Sequence, residues 1–111
     1  MNRELLIGRI LEDESLRGDL DDDAAEPLIA WLVKRAEAVI SRSKSESAAR
    51  QAIDALCQRG RLIARFVNQA QADPAAAARL AQAEKLAWPL PAAGTGNLAI
   101  VVQHVLDSEH V

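Results

Sequence analysis

Over residues 46–72 the chain carries an apolar stripe that never loses helical phase, and nothing else in the sequence restricts the fold as much. Ala49, Leu56, Ile63 and Ala70 recur every seven positions, with Ala52, Ile53, Phe66 and Val67 filling the flanks. The stripe runs straight through Gly60, although an interior glycine costs ~1 kcal/mol relative to alanine. One long helix is therefore expected over about 46–72, third in chain order. Gly60 lies on its apolar face, where the missing side chain lets another helix approach closely.

What packs against this spine is set by composition. Half of the 111 residues are apolar, yet three are aromatic and alanine makes up about a fifth of the chain. Alanine-rich helices pack closely and bury little area each, so stability must come from long contact lines or from a second subunit. Leu5, Leu6, Ile10 and Leu11 predict a first helix over 2–12, followed by an acidic connection through Gly18. Asp21-Asp22-Asp23 is a helix-start signal, and Pro27 fits the first turn of that helix or a kink before it. Leu28, Ile29, Leu32, Val33, Ala36, Val39 and Ile40 carry this second helix to about Ser41. Ser45 or Ser47 can cap the spine, and Asp73-Pro74 starts a fourth helix running to Ala87. Trp88-Pro89-Leu90-Pro91 ends it and opens a loop through Asn97. Residues 98–108 have strand-forming types but a helical face, and with no strand to pair with they are expected to be helical. The expected architecture is all-α, a four- or five-helix bundle in one domain over 1–111.

Charge is sorted along the chain. Residues 1–26 hold nine acids against three arginines, whereas residues 27–65 hold eight bases against three acids. Such a chain can pair internally, pair with a copy of itself, or offer a basic face to an anion. No apolar run reaches the ~20 residues that span a bilayer, and the charged first residues do not resemble a signal peptide, so a soluble cytoplasmic protein is expected. A single cysteine, Cys57, excludes an internal disulfide.

Four arginines are the candidate contacts to an anion or a partner: Arg50, Arg59, Arg61 and Arg65. Helical phase puts Arg59 inside the apolar stripe between Ala52, Ile63 and Phe66. A guanidinium there must pair, either with a carboxylate of the acidic first quarter or with an anionic group from outside. Arg50, Arg61 and Arg65 share the polar side with Asp54, a solvated face that could also track phosphates, with no aromatic or Asn/Gln arrangement beside it to read bases. The stretch from Ala52 to Ile63 resembles the recognition helix and first wing strand of winged-helix regulators, with Gly60 turning into the strand. Two features depart from that pattern: residues 41–46 leave no room for the preceding short helix, and the helix starting at Pro74 occupies the place of the second wing strand.

Other signals are bland. Gly94-Thr95-Gly96-Asn97 precedes a helix as phosphate-cradling loops do, but lacks the further glycine or lysine of such motifs, and reads as a helix-start turn. His104, Asp107 and His110 do not make a metal set, since His110 lies one residue from the end. Cys57 is expected to be a small core residue, and Trp31 and Trp88 core or interface anchors. No metal or cofactor is expected. The leading expectation is a non-enzymatic protein–protein interaction module, most simply a homodimer, because the long stripe offers more apolar length than its short neighbours cover. A nucleic-acid-associated regulator using Arg42, Lys44, Arg50, Arg61 and Arg65, and a small ligand binder or enzyme using the 94–97 loop, are the alternatives.

Overall fold

Three helices begin on side-chain acceptors that the sequence places for them. Asp21 accepts the Ala24 N–H at 2.8 Å, Ser45 accepts that of Ala48 at 3.1 Å, and Asp73 accepts that of Ala76 at 3.1 Å. In the computed structural model, which describes residues 3–18, 20–87 and 98–109, these caps start α3 (Asp22–Arg42), α4 (Glu46–Ala72) and α5 (Pro74–Glu84). Before them come α1 (Arg3–Leu11) and a one-turn α2 (Glu14–Arg17), and α6 (Leu98–Asp107) closes the order. The fold is an all-α bundle, with every described element helical. None of these helices is long and apolar enough to cross a membrane.

α3 and α4 form the centre. α3 packs against α1, α4 and α6, while α4 packs against α3, α5 and α2. At 1.5 Å per residue α4 is ~40 Å long and accounts for the 43 Å long axis of the molecule. Leu28, Leu32 and Ala36 of α3 meet Ile53, Ile63, Phe66 and Val67 of α4 and Val102 and Val105 of α6 in one core, each wholly shielded from water. Each buried aliphatic side chain of this kind contributes about 1.5–3 kcal/mol relative to exposure.

Several expectations change. The bundle has six helices among the described residues because the acidic connection contains α2, capped by Asp13 through the Ser15 N–H at 3.0 Å. The spine is thus the fourth helix, with the predicted boundaries. Pro27 sits inside α3, which starts at Asp22, so it is not a first-turn proline; it leaves the Asp23 carbonyl without the usual helical donor. α5 stops at Glu84 and not Ala87, because Lys85 turns left-handed (φ 57°) and the Leu86 N–H returns to the Ala81 carbonyl at 2.9 Å. That reversal drops Leu86 into the core at 7% exposure. Residues 98–107 are helical, as expected. Residues 52–63 are the uninterrupted middle of α4, so no wing strand starts at Gly60.

The spine is not left uncovered, contrary to expectation. Ala49, Ile53, Leu56, Cys57, Ile63, Ala64, Phe66 and Val67 are all buried, so α4's apolar face is covered from within the chain. Among the described residues, the large apolar side chains left exposed are instead Leu5 and Leu11 of α1 and Ile100 of α6.

Candidate functional site

The four candidate arginines lie along α4 and meet different fates. Arg59, in the apolar stripe, is clasped by Glu109: its Nε donates to Oε2 at 2.9 Å and its Nη2 to Oε1 at 2.7 Å. A third bond runs from Nη1 to the Glu84 carbonyl at 3.1 Å, tying the end of α5 into the same clasp. The Glu109 side chain is 4% exposed and that of Arg59 24%. Hydrogen bonding to Glu109 raises the Arg59 pKa against the opposing effect of burial, so the guanidinium stays charged. The expected pairing therefore exists, but the partner comes from the end of the chain and not from its acidic first quarter.

Arg61 supplies that second connection. Its Nη1 donates to Asp13 Oδ2 at 2.7 Å, fixing the α1–α2 corner to the spine, so it is not the freely solvated residue that helical phase suggests. Burial pushes the Asp13 carboxyl up, but the Ser15 hydrogen bonds and the Arg61 charge outweigh it and hold the carboxyl below its ordinary value. Nearby, Arg9 Nη2 donates to Asp54 Oδ1 at 2.9 Å. Arg50 stands 3.9 Å from Glu46 one turn away, an exposed pair that contributes little. Arg65 is exposed and makes no ion pair or hydrogen bond among the described residues.

Three recesses adjoin this row. One, of about 460 Å³, is lined by Arg9, Glu12, Asp13, Asp54, Cys57 and Arg61 among others, and both of its arginines are already paired. A second, of about 370 Å³, lies between α2 and α4 and is lined by Ser15, Gly18, Arg61, Arg65, Asn68 and Gln69 with two alanines. In the third, Gln58 flanks the same arginines on their other side. Amide side chains do accompany the basic face, contrary to the sequence reading; the three- and four-residue steps from Gln58 through Arg61 and Arg65 to Asn68 and Gln69 carried that signal.

Cys57 faces the first recess but is 5% exposed. Burial, reinforced by the Asp13 carboxylate, pushes its thiol pKa up, which keeps it protonated and a poor nucleophile at neutral pH. Ellman's reagent is accordingly expected to leave the native protein unmodified and to titrate one thiol per chain in denaturant; rapid reaction in the native state would contradict the assignment of Cys57 to the core.

Glu109 is the residue that sequence reasoning missed. Val102, Val105, Leu106 and Glu109 continue one buried face at helical spacing, so phase alone marks Glu109 as an acid aimed inward. Trp31 is half-buried, with the Arg35 guanidinium 5.3 Å from its ring centroid. His104 is half-exposed, Asp107 accepts a hydrogen bond from Gln103 at 2.7 Å, and no metal-binding cluster occurs among the described residues. The 94–97 loop, Trp88 and His110 lie outside the described residues. No protein-family model, curated protein or solved structure matches the chain.

Proposed function

We propose that this chain is a non-enzymatic helical interaction module that binds a second copy of itself. The observation that carries the reading is the outer face of α1. Leu6 and Ile10 anchor that helix in the core at 2% and 1% exposure, while Leu5 and Leu11 remain 68% and 58% exposed on its other side. Gly8 lies between them, with nothing within 4 Å of where a Cβ would stand, so a partner helix can approach closely. Burying a leucine contributes about 1.5–3 kcal/mol, which makes two half-exposed leucines a contact worth covering.

The nucleic-acid reading draws less support. Of the three arginines on the polar side of α4, Arg61 is held by Asp13 and Arg50 leans toward Glu46, which leaves Arg65 as the uncommitted cation. On the spine that leaves one phosphate contact and a salt slope of only about one, so the exposed Arg42 and Lys44 between α3 and α4 would have to supply the rest of the affinity.

Light scattering coupled to gel filtration, from low micromolar concentration to about 1 mM, tests the proposal across the range where weak self-association is measurable. The wild-type mass is expected to rise to at least that of a dimer. Leu5→Ser combined with Leu11→Ser is expected to weaken association at least ~10-fold without lowering thermal stability, since neither leucine is in the core. A monomer throughout the range overturns the reading.

A further inference from the structure

Subtracting the internal pairs leaves Arg65 on the basic side and, across the end of α2, Asp23 and Glu26 of the acidic start of α3 without ion-pair partners among the described residues. The groove between α2 and α4 and the adjoining recess around Gln58 share Arg61 and Arg65, and neither has a carboxylate in its lining. Arg61 is already committed to Asp13, so Arg65 is the uncompensated base of this groove. At the start of α3, Asp23 and Glu26 are exposed and make no ion pair or hydrogen bond among the described residues. Asp22 meets Arg17 at 3.2 Å with its own side chain 97% exposed, a contact that water screens. The two surfaces border one another across the end of α2: Gly18 lines the basic groove, and Arg17 lines the recess that holds Asp22 and Glu26.

We infer that the α2–α4 groove receives carboxylates, and that its occupant is the acidic start of α3, Asp22 to Glu26, from a second copy of the chain. Adjacent patches of opposite sign on one face are self-complementary, because a two-fold axis between them sets each against its opposite and makes both contacts at once. A groove of about 370 Å³ suits a few side chains. On the side where Arg61 joins the neighbouring recess an extended polyanion would meet Glu12, Asp13 and Asp54, which favours a short acidic segment over a nucleic-acid backbone in that direction. The inference rests on the self-association proposed above and adds its electrostatic half. Leu11 runs directly into Glu12 and Asp13, so the apolar face of α1 leads to the Arg61 end of this surface.

Charge reversal on each side tests it, using the full chain and the same light-scattering measurement. Arg65→Glu alone, and Asp23→Arg with Glu26→Arg, are each expected to raise the dissociation constant at least ~10-fold, because each homodimer then sets like charge against like. Mixing the two variants in equal amounts is expected to restore association to within about threefold of wild type, since the mixed dimer pairs opposite charge at both contacts. Folding defects cannot produce that recovery. If Arg65→Glu leaves association unchanged while the Leu5/Leu11 variant weakens it, the groove assignment falls and self-association stands. If the mixture fails to recover, the acidic start of α3 is not the occupant. Loss of low-salt oligonucleotide retention in Arg65→Glu with association unchanged assigns the groove to phosphate instead. A wild-type monomer overturns both readings.

Discussion

Replacing Arg59 by alanine is expected to destabilise the fold by about 3 kcal/mol, the lower end of the range for removing one partner of a buried ion pair. The low end applies because the Arg59 side chain retains 24% exposure, whereas that of Glu109 keeps only 4%. The cost arises on the glutamate. Without the guanidinium, the buried Glu109 carboxylate loses two charge-assisted hydrogen bonds, which water entering through the partly exposed Arg59 site replaces only in part. The Glu84 carbonyl loses its donor as well, so the clasp opens at α5 and at α6 together. For a domain near this size, ~3 kcal/mol lowers the melting temperature by more than about 10 °C. Substituting both partners with apolar residues of similar volume, Arg59→Met with Glu109→Leu, is expected to return most of that loss, because no charge is then stranded. A double-mutant cycle by urea denaturation separates pairing from packing: a coupling near zero, or an Arg59→Ala melting temperature equal to wild type, would remove the clasp from the account of stability.

The clasp also shows which part of the site is legible from sequence. An arginine inside an apolar stripe announces that it needs a carboxylate, but phase on one helix says nothing about which element brings it. The acidic first quarter is the obvious source by number of acids. It loses to a single glutamate because α6 packs on α3 and α4 and the turn that follows it, closed by the Glu109 N–H on the Leu106 carbonyl at 3.1 Å, brings Glu109 inward. Arg61 was hidden for a different reason. Its partner Asp13 caps a four-residue helix, and four residues are too few for periodicity to register.

Fold is more legible than site because its signals are local. Asp21, Ser45 and Asp73 each satisfy a free N–H within three residues of themselves, so their helices start where the sequence says. The end of α5 has no such signal: Lys85 adopts the left-handed conformation that glycine usually supplies, and Leu86 reaching the core is what fixes it there. Coverage of α4 was the least legible feature, since it depends on the five other helices arriving from both sides of the sequence.

Gly60→Val is expected to destabilise the protein by about 3 kcal/mol, the upper end of the usual overpacking cost. A Cβ at this position would stand 2.8 Å from Leu32 Cδ1 and 2.9 Å from Leu16 Cδ2, against an optimal carbon–carbon separation of about 3.5–4.0 Å. Both obstacles are the ends of flexible side chains, but each leucine is wholly buried and has no solvent to swing into. Relief requires an off-rotamer leucine or movement of α2 and α3 away from the spine, which costs about 1–3 kcal/mol before valine's two further methyl groups are placed. Alanine separates the two terms. Gly60→Ala regains ~1 kcal/mol of helix propensity while incurring the Cβ clash, so its net loss is expected to be about 0–2 kcal/mol by urea denaturation. Leu32→Val, which trims one obstructing side chain, is expected to cost less in the Gly60→Ala background than in wild type. An alanine variant more stable than wild type by the full propensity gain would show that the leucines have room, and the reason for a glycine in mid-helix would then have to lie outside the packing of α2 and α3 on α4.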